Sequence, residues 1–390
     1  MKHVLQKELD LIKQELWEMS DYLYENPELG DEEYDSMKLL VTFLNKHQFT
    51  TKTGIVNRPT AFKSVYKSNQ PGPTIAFLAE YDALPGIGHG CGHNLIGTMS
   101  VGAAVILSKL IDRIGGTIIV LGTPAEETNG AKVPMTESGI FDEIDVAMIV
   151  HPSDASYESG KSLAMDAIQF AYKGKSSHAA SAPEEGINAL DSVLQLFNGI
   201  HALREHLPRD VKIHGIISEG GKAANIVPDY AVAQFYIRAN ERTDLNKIVD
   251  KVTRIAEGAA LMTGATLSVS NYELSYDNMI TNETLSSAFT KNLQTIRPDP
   301  IYPAQRGSGS IDMGNVSHVV PAIHPYISLN KRGLVAHTTE FADQTITHDG
   351  HQTLIDGALA LAQTGYDILT DTELLQAIRE EFNQFNQTQS

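Results

Sequence analysis

The chain has 390 residues, 42% hydrophobic and 20% charged, with a formal net charge of −18. That length exceeds one ordinary core, so two domains are expected, and the acidic balance argues against nucleic acid or a membrane surface as the main partner. The single cysteine excludes an internal disulfide framework and suits a reducing cytoplasm.

The N-terminal ten residues have no apolar core of signal-peptide length. Leu5, Leu9, Ile12, Leu16, Met19 and Leu23 recur at three- and four-residue steps, which predicts an amphipathic helix ending near Asn26-Pro27. A second helix is expected after Gly30, with Met37, Leu40, Val41 and Leu44 inward. Thr74–Leu78 reads as a buried strand leading into Glu80-Tyr-Asp82. The stretch Gly86-Ile-Gly-His-Gly-Cys91-Gly-His93 follows, with glycines dense enough for sharp turning and close approach. Val101–Leu107 is too short to span a bilayer and reads as part of a buried helix, Val101–Leu110. Thr117–Leu121 and Asp145–Val150 are two more buried strands, ending in Glu126-Glu127 and His151-Pro152. In an open α/β sheet the functional crevice lies beyond the strands' carboxyl ends. Three strands therefore deliver Cys and His, two Glu, and His to one edge.

The texture changes after Gly160. Strands are expected at Ala164–Tyr172, Val211–Ser218, Tyr230–Arg238 and Ala265–Tyr272. Between them, Leu190, Val193, Leu194, Phe197, Ile200 and Leu203 form one helical stripe, and Thr243 is positioned to cap a helix running to about Met262. The order β-α-β-β-α-β is ferredoxin-like. The reading is a domain at 165–275 inserted into one formed by 1–164 and 276–390. The resumed part carries a helix near Glu283–Leu293, the Gly-rich turn Gly307–Asp312, His337 and a helix from Gly350 to Leu369. A polar tail after Phe385 is expected to fray.

Cys91, His93, Glu126, Glu127, His151 and His337 are donors suited to two divalent ions. Adjacent residues leaving a strand point in different directions, so one of the Glu126-Glu127 pair can bind metal while the other stays free as a base. His89 is a weaker ligand candidate. His178, His201, His206 and His214 have no special signal of their own. Arg238 ends a strand and can clamp a carboxylate; Arg306 and Arg332 are alternatives. Gly309, within the turn Gly307–Ser310, offers backbone groups to a pocket.

Several stretches together resemble the aminoacylase and glutamate-carboxypeptidase family of co-catalytic metallopeptidases. Within it they are most similar to the amidohydrolase branch of p-aminobenzoyl-glutamate hydrolase, auxin-conjugate hydrolases and aminoacylase-like dipeptidases. The stretches are Asn26-Pro-Glu-Leu-Gly30, Tyr81-Asp-Ala-Leu-Pro85, Gly90-Cys-Gly-His-Asn94, Pro124-Ala-Glu-Glu127, His151-Pro152, Gly174-Lys-Ser-Ser-His-Ala-Ala180, Gly186-Ile-Asn-Ala-Leu190 and Asn225-Ile-Val-Pro-Asp229. The resemblance implies an α/β, zinc-peptidase-like catalytic domain with a mixed, mostly parallel sheet, interrupted by an α+β lid or dimerisation domain. It implies metal ligation by Cys91 as the bridging ligand, His93, Glu127, His151 and His337, with Glu126 as general base. Asp82 would orient a ligand from behind. His178 would stabilise the oxyanion, reaching into the site of the other protomer, and Asn225 would bind substrate. The metals would be zinc or manganese, with cobalt or nickel as options. The substrate would be a small N-acyl amino acid, an aminobenzoyl-glutamate-like compound or a dipeptide, and the assembly a homodimer. Two positions depart from the branches: Glu80 stands where sister branches have histidine, and Asn94 where many members have aspartate.

Other readings are a non-catalytic binder of metal or a small acid on the same scaffold, and a cysteine hydrolase using Cys91. Phosphate-loop chemistry fails because Ala155 and Gln169 stand where the first glycine of such a loop is required.

Overall fold

The computed structural model describes residues 2–304 and 309–389, so Arg306 lies outside the described residues. The chain divides into two compact units: Met1–Lys161 with Met279–Gly307 and Asp312–Ser390, and Ser162–Asn278 with Ser308–Ile311.

The first unit opens with α1 (Lys2–Glu25) and α2 (Tyr34–Lys46), then β1 (Thr50–Thr53), β2 (Phe62–Lys67) and β3 (Thr74–Ala79). All six apolar positions expected inward on α1 are buried. On α2 the buried face is Ser36, Leu40, Phe43 and Leu44. Next come α3 (His93–Ile114), β4 (Thr117–Gly122), α4 (Lys132–Glu137), β5 (Val146–Met148), β6 (His151–Ser153) and β7 (Ser156–Tyr157). Two expectations need correction here. α3 starts at His93, well before Val101, because Gly92 at φ 80° turns the chain straight into the helix. The Asp145–Val150 run is not one strand: β5 ends at Met148, and the chain crosses into a different sheet at His151.

In the second unit, β8 (Ala164–Lys173), α5 (Ala189–Arg204), β9 (Lys212–Glu219), β10 (Tyr230–Ala239), α6 (Arg242–Thr263) and β11 (Thr266–Asn271) follow in order. The sheet runs β11-β8-β10-β9, antiparallel throughout. Both helices pack on this sheet, filling a core of Phe170, Phe235, Val193, Ile200, Leu245 and Val252 among others. Leu194 is 44% exposed instead of joining it. Thr243 is not the cap of α6; Glu241 precedes the helix, without a side-chain capping bond.

The first unit resumes with α7 (Glu283–Ile296), β12 (Ile301–Tyr302), α8 (Met313–Ser317), β13 (Ala322–Ile323), β14 (Tyr326–Ser328), α9 (Thr339–Thr345), α10 (His348–Thr370) and α11 (Thr372–Gln389). The stretch read as a frayed tail is helical through Gln389. The main sheet runs β1-β2-β4-β3-β5-β13. Its β4–β3, β3–β5 and β5–β13 pairs are parallel, and β1–β2 and β2–β4 antiparallel. A small sheet, β12-β7-β14-β6, lies beside it. α3 is long and apolar enough to cross a bilayer by composition, but it is nearly all buried, packed between β3 and the helices α1 and α10. This is an α/β fold with a mixed, mostly parallel sheet.

Candidate metal centre

β3 and β4 run side by side in register, Ala79 opposite Gly122. Their ends therefore release Glu80-Tyr-Asp82 and Ala125-Glu-Glu127 at the same edge. Gly92 then seats Cys91 and His93 against the start of β6; a Cβ at Gly92 would lie 2.4 Å from Pro152 Cγ. His337 comes from far along the chain, tied back by its own N–H to Gly90 O at 2.8 Å.

These elements gather donors into three groups whose ligand atoms lie within 4.8 Å of one another: Cys91, His93 and His151; Cys91, Glu127 and His337; His93, Glu126 and Glu127. Cys91 belongs to two of them, and its Sγ sits 3.3 Å from His151 Nε2. His89 is buried outside all three, and burial pushes its pKa down to about 3.

Hydrogen bonds set the imidazoles. His93 Nδ1 faces Asp82 O at 2.9 Å and Asp82 Oδ1 at 3.1 Å, both acceptors, so Nδ1 carries a proton. His151 Nδ1 likewise faces Pro152 O at 2.7 Å. Each ring thus turns Nε2 into the cluster, and Asp82 Oδ2 also accepts the Glu127 N–H at 3.0 Å. A carboxylate behind a ligand histidine fixes its tautomer and orientation.

The donors fit divalent metal. Among the described residues the buried His93 Nε2 has no hydrogen-bond partner; Glu80 Oε2 lies 3.5 Å from it and Glu126 Oε2 4.0 Å. Thiolate, imidazole and carboxylate donors together suit a borderline-soft dication.

The electrostatics of the cluster are lopsided. Burial works against a charged His93, yet the Asp82 carboxylate outweighs it and holds the ring's pKa well above the usual value. Burial also pushes the Cys91 thiol up, as does the Glu127 carboxylate. Glu126 is held well above the usual carboxylate range by burial and then by Glu80 and Asp312. Burial raises Glu127, but its contact with His337, 3.2 Å away, together with the nearby His93 charge more than offsets this. Burial lowers His151 to about 3.

Sequence reasoning missed three features. Lys132 Nζ is completely buried between Glu80 Oε1 and Asp312 Oδ1, 2.6 Å from each. Glu80, left without a role by its departure from histidine, is thus one arm of a buried ion triad. His324 and Tyr326 flank the His151 ring, centroids 5.5 and 5.4 Å away. Glu33 is buried behind Ala125. The only local hint for Lys132 was a lysine just after a strand-end acid pair; Asp312 sits in the Gly-rich turn already noticed. Asn94 is buried and donates to Ser20 Oγ and Thr345 Oγ1, each at 3.0 Å, so it fastens α3 to its neighbours.

Four other named residues lie in the second unit. His178 bridges Ile226, and Ala179 N donates to Asn225 O at 3.0 Å, so the His178 and Asn225 segments are adjacent. Arg238, on β10, stacks over the Tyr236 ring at 5.1 Å. Gly309 O accepts from Leu163 N at 2.9 Å.

Comparison with known proteins places the chain in the peptidase and amidohydrolase class of enzymes. Residues 165–262 match the peptidase dimerisation domain. The chain is 34% identical to Xaa-Arg dipeptidase of Mus musculus over 399 residues, covering 98% of this chain and 92% of that protein. It is 29% identical over 453 residues to one of the subunits of p-aminobenzoyl-glutamate hydrolase from Escherichia coli, covering 97% and 94%. A dinuclear metal-binding peptidase of the M20 family from Bacillus subtilis shares the fold, with a TM-score of 0.65 at 19% identity over 91% of this chain and 99% of that one. The chain belongs to the M20 peptidase family.

Proposed function

We propose that the enzyme hydrolyses the amide bond of a dipeptide, an N-acyl amino acid or an aminobenzoyl-glutamate-like compound with a free carboxylate. The observation that carries this reading is Glu126, placed beside His93 and Glu127 yet outside the two groups that share Cys91. Cys91, His93, Glu127, His151 and His337 would hold two divalent ions, Cys91 serving both. When bound, such ions polarise a carbonyl and lower the pKa of water at the site. Zinc is favoured by the thiolate and imidazole donors, with manganese, cobalt or nickel as alternatives.

Glu126 takes the proton of the attacking water and returns it to the departing amine. Its buried, acid-rich surroundings favour holding that proton. Asp82 keeps His93 in the ligating tautomer. On the family resemblance, His178 stabilises the oxyanion and Asn225 contributes to substrate binding; Arg238, as a strand-end guanidinium, and Gly309, through backbone groups of its turn, are assigned to substrate binding on their chemistry alone. A homodimer through the second unit is supported by β9, an edge strand with Ile216 and Ile217 exposed. A cytoplasmic setting would keep Cys91 reduced.

The test is Glu126→Gln, assayed on a panel of dipeptides, including some ending in arginine, and acyl amino acids. Turnover should vanish while bound metal persists. Full activity in that variant would overturn the mechanism. A purely metal-binding role would leave the native chain inactive on the whole panel with every metal.

A further inference from the structure

The sequence singles out Asn26-Pro-Glu-Leu-Gly30, and neither metal ligation nor base catalysis uses it. Its surroundings show what it does. Leu29 pairs with Ala83, and Ala83 N donates to Glu28 O at 2.8 Å, next to Asp82. Gly30 lies flat on the other strand end: a Cβ there would sit 3.0 Å from both Cα and Cβ of Ala125 and 2.7 Å from Thr128 Oγ1. Glu28 accepts the N–H groups of Asp35 at 3.1 Å and Ser36 at 2.7 Å, capping the first turn of α2. That leaves Glu33, at the head of α2, free to point inward. It is fully buried. Its Oε1 accepts the Ala125 N–H at 2.8 Å and its Oε2 the Thr60 hydroxyl at 3.0 Å. Thr60 is itself held, its carbonyl accepting from Tyr81 Oη at 2.6 Å.

Ala125 is the reason such a grip matters. It has φ 61°, a left-handed conformation that a Cβ-bearing residue keeps only where its surroundings hold it. This one peptide turns the chain between Pro124 and the pair Glu126-Glu127. If Ala125 relaxed to negative φ, both carboxylates would swing from their present places.

We infer that Glu33 is a positioning residue, whose buried carboxylate holds Ala125 in its left-handed conformation and thereby aims Glu126 and Glu127 into the metal centre. The inference rests on the hydrolytic reading for its kinetic arm only. Its spectroscopic arm needs just the donor cluster.

The test compares Glu33→Ala, Glu33→Asp and Glu33→Gln with the native chain. Gln keeps an oxygen for Ala125 N–H, and its amide can donate to Thr60 Oγ1. Asp withdraws the carboxylate by one methylene. Each protein is made metal-free and titrated with Co²⁺, whose visible d–d bands report ligand identity and geometry. Glu33→Ala and Glu33→Asp should shift those bands, weaken Co²⁺ binding at least tenfold and lower kcat at least tenfold with KM within about twofold. Glu33→Gln should give the native spectrum and recover more than half the native kcat. Unchanged cobalt spectra in a folded Glu33→Ala or Glu33→Asp would overturn the inference, as would a Glu33→Gln as impaired as Glu33→Ala. Should Glu33→Ala not fold, Glu33→Asp decides. Activity surviving in Glu126→Gln would sink the hydrolytic reading while leaving the cobalt spectra to judge the positioning role.

Discussion

Replacing Lys132 with methionine should destabilise the first unit by about 3–5 kcal/mol near pH 8. The ammonium lies 2.6 Å from carboxylate oxygens of both Glu80 and Asp312. Lys132, Glu80 and Asp312 are 0%, 1% and 0% exposed. Methionine keeps the aliphatic stem and removes only the charge, so the two acids stay buried without their cation. Removing one partner of a buried pair is costly because the remaining charge stays uncompensated or takes up a proton. Proton uptake is the cheaper outcome, which makes the penalty depend on pH. In the native chain burial would push Glu80 up, but Lys132 and then His93 hold it below the usual carboxylate range. A depressed carboxylate contributes stability that is present above its unfolded pKa and lost as pH falls through the folded value. In the variant the sign reverses for Glu80, while Asp312, which burial already holds above the usual carboxylate range in the native chain, is raised further by the loss of Lys132. Both acids have folded pKa values above their unfolded ones, so folding takes up protons and stability declines as pH rises from about 5 to 8. Urea unfolding of the metal-free protein measures this through Trp17, the sole tryptophan. Its Nε1 donates to His351 O at 3.1 Å and its ring stacks on His351, so its emission reports α1 leaving α10. The difference between variant and native should shrink by at least about 1.4 kcal/mol, tenfold in equilibrium constant, between pH 8 and pH 5. A loss under about 1 kcal/mol at pH 8, or one independent of pH, would refute the reasoning.

Gly92→Ala combines a φ of 80° with a Cβ 2.4 Å from Pro152 Cγ, so bound metal per chain, measured by elemental analysis after dialysis, should fall below half the native value. Asn94→Asp replaces a buried donor to Ser20 and Thr345 with an acceptor. It should cost about 1–3 kcal/mol in denaturation and leave the metal stoichiometry unraised. Burial, with Asp82 nearby, pushes Glu33 up to about 7. Its contribution to stability is therefore full below the unfolded carboxylate pKa and lost as pH rises through about 7. Glu33→Gln, which mimics the protonated acid, should gain on the native chain by about 1–3 kcal/mol between pH 5 and pH 8.5, read by urea unfolding.

Features written in local periodicity were legible from the residues. The α1 stripe, the ferredoxin-like strand order and the strand end leading to Glu126-Glu127 all follow from short-range pattern. The failures have local causes as well. Nothing in an apolar run marks where β5 hands over to another sheet at His151. A glycine-rich stretch hides the start of α3, because its first turn holds His93 and Asn94 where an apolar stripe would be sought. Leu194 joined a stripe by spacing alone, but Ser192 and Leu196 are the buried neighbours of Val193. Lys132 and Asp312 are 180 residues apart, and no spacing rule pairs a lysine in a short helix with an acid in a distant turn. Glu33 was hidden differently: an acid at the head of a helix ordinarily serves that helix, and here Glu28 has taken over the task.

The departure at Glu80 bears on how this centre balances its charge. Five acids, Glu80, Asp82, Glu126, Glu127 and Asp312, meet one lysine and the His93 ring. Lys132 spends its charge on Glu80 and Asp312, and His93 faces Asp82. His337 pairs with Glu127 from a half-exposed position. Glu126 is the acid for which Glu80, Asp312 and Glu127 all add repulsion. Such an excess of negative charge is what a bound dication relieves, and it falls on the residue assigned to carry the proton. A histidine at position 80 would have left Lys132 with one carboxylate instead of two. Glu80→His should therefore weaken the Lys132 anchor and add an imidazole near His93 besides that of His151. Its metal content and its denaturation midpoint should move together, and a variant that kept both native values would show that the triad contributes nothing to the centre.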